Sequence, residues 1–188
     1  MELRIQEYSA EYLSQVQSFE CGTDDWCRFA EKWIKSAQPF PGAIQSINEF
    51  GNKVWLYFVD VFEESYLVGF SSLGKIKWKI PPPDGPKREA GFIPMLAVSL
   101  RFQGKPDGNK KHYIDEILEH VIRVAREQGY RELCLYVHEG NTRASHKYEN
   151  YGFSVLGPKD SNGNFKMLKV LSEGEPLSSL ESGPRLGL

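Results

Sequence analysis

The chain has 188 residues, 40% of them hydrophobic and 13% aromatic, enough apolar material for one substantial core and a length that favours one domain over two. A formal net charge of -2 excludes a global basic field that could hold nucleic acid or an anionic membrane. Three cysteines, Cys21, Cys27 and Cys134, match neither a disulfide framework nor C-x-x-C spacing, so reduced thiols are expected.

Met1-Glu-Leu-Arg-Ile-Gln-Glu7 is too charged for a signal peptide, and no apolar run approaches the ~20 residues that span a bilayer. The expectation is a soluble, cytoplasmic protein. Leu3 to Ile5 reads as a short first strand. Ala10 to Phe19 and Asp24 to Ala37 then show helical apolar spacing, with Trp26, Phe29, Ala30, Trp33 and Ile34 on one stripe. Pro39-Phe-Pro41-Gly42 breaks the pattern before the β-rich run Val54 to Phe62. A turn at Glu63 to Ser65 leads into Tyr66 to Leu73 as its hairpin partner.

Residues 77 to 91, with Pro81, Pro82, Pro83 and Pro86, are predicted to be a loop. Phe92 to Ser99 is the next strand. Tyr113, Ile114, Ile117, Leu118, Val121, Ile122, Val124 and Ala125 recur at a 3.6 period up to Gly129, predicting a long helix. Leu133 to Val137 is a strand, Thr142 to Asn150 a helix, and Phe153 to Leu156 with Phe165 to Leu171 a closing hairpin. From Ser172 to Leu188 Gly, Pro, Ser and Glu dominate, and a disordered tail is expected.

Two segments carry chemistry. Leu96-Ala-Val-Ser-Leu-Arg101-Phe-Gln103-Gly104-Lys105-Pro106-Asp107-Gly108 runs from a strand through a basic glycine loop towards the long helix. Asn141-Thr-Arg-Ala144-Ser-His-Lys-Tyr148-Glu-Asn-Tyr-Gly152-Phe153 puts an amide, a small residue and a phenol on one helical face. Together they resemble motifs A and B of the GCN5-related N-acetyltransferases (GNATs). The resemblance implies a mixed α/β fold over 1–171 with a mostly antiparallel sheet of six to seven strands flanked by about four helices. It also implies direct transfer of acetyl from acetyl-coenzyme A (acetyl-CoA) to a primary amine.

In such an enzyme a loop entering a helix receives the cofactor's pyrophosphate on unpaired N–H groups. Relative to the family's loop, this chain keeps Arg101, Gln103 and Gly104 and then inserts two or three residues. Pro106 has no N–H, so the amides of Gly104, Lys105, Gly108 and Asn109 are the expected donors, with charge from Lys105, Lys110 or Lys111. The resemblance further implies that Pro94 to Val98 splays from Leu133 to Val137, leaving the main chain of Met95, Ala97 and Val98 to meet the pantetheine arm.

Asn141 and Ala144 would flank that arm, Asn141 also serving as a helix N-cap. Tyr148 would donate a proton to the departing thiolate, as a phenol protonated at neutral pH can. Glu89 and Glu139 are the candidate bases. His112, His120, His138 and His146 show no metal-ligand spacing, and no metal is expected. Neither G-x-G-x-x-G nor a P-loop is present, which removes the rival nucleotide folds.

Phe19-Glu-Cys21-Gly22 resembles the opening of toxin-type acetyltransferases, which act on aminoacyl-tRNA. Lys75, Lys77, Lys79, Lys87 and Arg88 would then form a basic rim. The other alternative is a non-catalytic acyl-CoA-binding or sensing module of the same fold. Monomer and homodimer are both compatible with the sequence.

Overall fold

A computed structural model describes residues 3–36, 42–79, 87–107 and 110–172. β1 (Arg4–Glu7) leads through a 3₁₀ turn at Ala10–Tyr12 into a single turn of helix, α1 (Leu13–Val16). In place of the helix expected over 10–19 there is thus a 3₁₀ turn and one helical turn that stop at Val16. α2 (Asp25–Lys35) buries Cys27, Ala30, Trp33 and Ile34, and Lys32 and Lys35 sit in its last turn, where they complement the helix dipole. Phe29 departs from the expected stripe and is 48% exposed.

A helix not anticipated from sequence follows: α3 (Ala43–Phe50), bounded by Gly42 and by a left-handed Gly51 at φ 63°. The Gly51 N–H donates to the Ile47 carbonyl at 3.1 Å, a glycine C-cap. β2 (Lys53–Val61) is buried from Val54 to Val59. Its odd residues, Trp55, Tyr57 and Val59, join the core beneath the long helix, and its even residues, Val54, Leu56 and Phe58, join the core beneath α1 to α3. A central strand covered on both faces has this all-apolar sequence.

β3 (Glu64–Lys79) is twice as long as the sequence suggested, and β4 (Lys87–Ile93) begins within the stretch expected to be loop. Lys77, Trp78 and Lys79 ladder with Glu89, Arg88 and Lys87. The backbone ladder thus carries the hairpin past the apolar run that marked its end in the sequence. The proline cluster lies outside the described residues. β5 (Leu96–Val98) is followed by α4 (Tyr113–Glu127), β6 (Glu132–His138), α5 (Thr142–Asn150), β7 (Ser154–Val155) and β8 (Asn164–Val170).

The sheet has eight strands in the order β1-β2-β3-β4-β6-β8-β7, with β5 paired to β3. Every pairing is antiparallel except β4 with β6. The eighth strand arises because the run expected over 92–99 is cut at Pro94. α4 packs Ile117, Leu118, Val121 and Ala125 fully buried against one face. Burying each larger side chain contributes about 1.5–3 kcal/mol, which holds the helix in register over β3. No helix among the described residues is long and apolar enough to cross a membrane. Residues 173–188, assigned above to a disordered tail, lie outside the described residues.

Candidate active site

A bulge opens the sheet. Gly74 faces Phe92, whereas the Ser72 N–H donates to the Met95 carbonyl at 2.8 Å. Leu73 alone therefore opposes both Ile93 and Pro94, two residues against one. Before the bulge β4 runs beside β6, pairing Gly91, Phe92 and Ile93 with Leu133, Cys134 and Leu135. After it β5 stays with β3. Tyr136, Val137 and His138 keep β8 on one side only. A V-shaped gap follows, and it forms the floor of a cleft of about 890 Å³.

Alternation along β5 decides which main-chain groups face the gap. The Met95 N–H donates to Ser72 Oγ at 2.9 Å, and its carbonyl accepts from the Ser72 hydroxyl at 3.1 Å. The Ser99 N–H donates to the Val68 carbonyl at 2.7 Å. With Ala97 opposite Phe70, Met95, Ala97 and Ser99 spend their groups on β3, and those of Leu96 and Val98 point away from it. The expected main-chain contacts at Met95 and Ala97 are thereby corrected. Both still line the cleft, but Leu96, which sequence reasoning omitted, takes their place beside Val98. The Val98 carbonyl is capped by Gln103 Nε2 at 3.0 Å. The N–H and C=O of Leu96 and the N–H of Val98 remain open to the gap.

Gln103 is a brace rather than a phosphate contact, since the same nitrogen donates to the Cys21 carbonyl at 2.6 Å. Arg101 is absent from the cleft lining; its guanidinium lies 4.0 Å over the Tyr66 ring. The loop closes on itself through a Pro106 and His112 bridge. The N–H groups of Lys105, Asp107 and Lys110 donate to Phe102, Lys111 and Asp107 carbonyls, and that of Lys111 to Asp107 Oδ1 at 2.7 Å. The amide role expected of Lys105 is thus corrected. Gly108 and Asn109 lie outside the described residues. Gly104, at φ 70°, has no N–H partner among the described residues and lines the cleft beside Tyr113 and Ile114 at the start of α4.

From α5 the cleft receives Asn141, Arg143, Ala144, Lys147 and Tyr148. Asn141 caps the helix, accepting the Ala144 N–H at 3.2 Å. Tyr148 is half-buried with its ring edge-on to Phe153 at 5.9 Å, and burial pushes its hydroxyl up to about 12. Opposite stand Asp24, Trp26, Phe29 and Ala30 from α2 and its N-cap. Trp26 stacks on His138 at 5.9 Å. His138 Nδ1 accepts the Gly140 N–H at 3.1 Å, which in the neutral ring leaves the proton on Nε2.

Neither glutamate proposed as base is in the lining. Glu89 is exposed, four residues before Ile93, about 13 Å along the strand from the bulge. Glu139 is exposed and bonded to Lys159 Nζ at 2.5 Å, a contact that holds its carboxyl below the usual range and makes it a weaker base. Asp24 is the carboxylate that does line the cleft. Its sequence signal, an acidic N-cap ahead of a helix, pointed only to the helix. Among the described residues no cluster of His, Cys, Asp and Glu side chains is arranged to hold a metal ion.

The Acetyltransferase (GNAT) family model matches residues 23–153. The chain belongs to this family. The GNAT match spans α2 to α5 and therefore includes the bulge, the loop and Tyr148. Among solved structures, a mutant of the AtaT toxin bound to the C-terminus of the antitoxin AtaR and acetyl-CoA is similar at 13% identity over 91% of this chain and 94% of that one, with a TM-score of 0.65. A mutant of KacT is similar at 15% identity over 91% and 96%, with a TM-score of 0.65. PaiA N-acetyltransferase from Thermoplasma acidophilum in complex with coenzyme A is similar at 18% over 90% and 99%, with a TM-score of 0.63. These likenesses bear on the fold. No curated protein matches the chain in sequence.

Proposed function

We propose that this GNAT transfers the acetyl group of acetyl-CoA directly to a primary amine. The observation that carries the reading is the bulge at Ile93 and Pro94, which leaves main-chain donors and an acceptor at Leu96 and Val98 facing a gap that ends beside Tyr148. An amide-rich, extended arm such as pantetheine is the ligand such a half-paired strand fits, because it can complete the ladder. The similar structures of AtaT and PaiA contain acetyl-CoA and coenzyme A respectively, which supports the same donor here.

In the reaction the amine nitrogen forms a bond to the acetyl carbon and the carbon–sulfur bond breaks. The electron pair leaves on sulfur, and Tyr148 Oη supplies a proton to that thiolate. The amine's proton passes to water, since neither Glu89 nor Glu139 is in the cleft. Asp24 and the aromatic wall of Trp26 and Phe29 suit an acceptor with a cationic amine and an apolar body. Lys75 and Lys77 are exposed on β3, and Arg88 is paired with Glu132 at 2.9 Å; none of the three lines the cleft. That distribution favours a small amine over aminoacyl-tRNA, although AtaT is a toxin of this fold.

The test is thiol release from acetyl-CoA across a panel of aryl and alkyl amines and aminoacyl-tRNA, with mass detection of the acetylated product. Product with an aryl or alkyl amine supports the reading, and product with aminoacyl-tRNA alone replaces the acceptor. Tight cofactor binding with no product from any amine would leave the non-catalytic sensing module as the function.

A further inference from the structure

The phosphate end of the donor needs positive charge and N–H groups, and the loop that ought to supply them is largely spent. The amides of Lys105, Asp107, Lys110 and Lys111 are committed within the chain, and Pro106 has none. Lys105 and Lys110 are exposed and do not line the cleft, and the remaining cations nearby are committed. Lys111 is paired with Glu119, Lys147 with Asp115 at 2.9 Å, and Arg101 lies on Tyr66.

Arg143 is the exception. It is exposed, lines the cleft, and has no carboxylate partner among the described residues. A Cβ built on Gly104 would sit 3.3 Å from its Nη2. The guanidinium thus stands beside the left-handed glycine whose N–H has no partner among the described residues. Its position is electrostatically unfavourable for the helix itself. Arg143 is in the first turn of α5, which contains no acidic residue to offset it, and a cation there opposes the helix dipole. A ligand with negative charge would relieve that opposition.

We propose that Arg143 is the phosphate clamp of this enzyme, gripping the donor's pyrophosphate from α5 in concert with the Gly104 N–H. The proposal rests on the acetyl-CoA reading above. A guanidinium can hold two phosphate oxygens at once, in a geometry that an ammonium does not reproduce. Gly104 is glycine both for its positive φ and because a side chain there would press on the clamp. Charge that the rearranged loop does not bring into the cleft lining is thereby supplied from a different element.

The experiment is calorimetric titration of the full chain and its Arg143→Ala, Arg143→Lys and Arg143→Glu variants with acetyl-CoA and with S-acetylpantetheine, which has no phosphate. Circular dichroism melts establish that each variant folds. Losing a charged hydrogen-bonding group should weaken acetyl-CoA about 10- to 100-fold in Arg143→Ala. Arg143→Lys should recover part of that loss, and Arg143→Glu should bind more weakly than Arg143→Ala. S-acetylpantetheine should bind the wild type and Arg143→Ala alike. Equal weakening of both ligands would make Arg143 a structural residue of α5 and overturn the clamp, as would unchanged acetyl-CoA affinity. A wild-type chain that binds neither ligand would instead overturn the donor reading beneath it.

Discussion

In the proposed reaction Tyr148 is the proton donor, and its surroundings fix how it behaves with pH. Burial raises its hydroxyl to about 12, so the proton to be donated is in place across the whole neutral and alkaline range. The pH–rate profile should show no falling limb assignable to this group below about pH 10. Tyr148→Phe should lower kcat by about 10²- to 10⁴-fold with little change in KM for acetyl-CoA, measured by steady-state thiol release. Unchanged turnover would remove the phenol from the mechanism. Asn141, Ala144 and Tyr148 were legible in the sequence because helical spacing alone places them together. Arg143 was not, since its importance depends on a glycine 39 positions upstream and on the pairing of Lys147, the other cation in the cleft lining, with Asp115.

Among the elements, α4 was the most legible, because a long apolar period is local information. Its polar positions hold two opposing titrations. His120 is buried against Trp55, Tyr57 and Ser71, its Nδ1 2.7 Å from the Tyr57 hydroxyl, with Arg123 and Glu127 exerting charge on it. Burial, with a smaller effect from Arg123, lowers it to about 4. The unfolded chain takes up this proton near pH 6.5 and the folded chain only near 4, so this contribution is intact above 6.5 and is lost as pH falls through that window.

Glu116, one turn away, is raised to about 7 by burial and then by Asp107, and one of its oxygens is buried without a partner among the described residues. It acts with the opposite sign. The folded chain holds this proton up to about pH 7 and the unfolded chain only to about 4.5, so stability is lost as pH rises between them. Glu116→Gln should therefore raise the urea midpoint at pH 8 and change it little at pH 4.5. In that background the His120 titration stands alone, and stability should fall by about 2 kcal/mol from pH 7 to pH 5. A pH-independent midpoint in Glu116→Gln would contradict the His120 assignment, and an equal shift from wild type at pH 8 and pH 4.5 would contradict that of Glu116.

At the same scale β5 depends on close backbone approach. A Cβ at Gly69 would lie 2.5 Å from the Ala97 carbonyl oxygen. Gly69→Ala should push β5 off β3, destabilising the protein by about 1–3 kcal/mol in urea unfolding. It should also weaken acetyl-CoA binding, because the same displacement narrows the gap. No apolar pattern signalled the strand break that makes the gap. Pro94 was visible in the sequence, but the bulge follows from the register that β3 imposes on both sides of it.

Across the whole molecule, β3 is the strand that joins the two halves, pairing with β2 and β5 through its first part and with β4 through its second. The halves separate at the gap between β5 and β6. A ligand lying in that gap ties them together, so saturation with acetyl-CoA at 100 times Kd should add about 2.7 kcal/mol. The melting temperature should then rise by roughly 5–10 °C in a thermal scan. Amide exchange should slow at Leu96 and Val98, whereas Met95 and Ala97, already bonded within the sheet, should change little. Equal slowing at all four would mean that the ligand tightens the fold generally and does not pair with the open edge.

The groups that open onto the gap at Leu96 and Val98 belong to the backbone, so descent can rewrite their side chains without erasing what they offer. Only proline would delete an N–H there. Selection in such a protein acts on the path of the chain more than on the letters along it. Relatives at 13–18% identity can then share a TM-score near 0.65. For an engineer this separates two tasks. The cleft wall of Trp26, Phe29 and Asp24, proposed above to meet the acceptor, is open to redesign residue by residue, while the open backbone edge comes with the bulge.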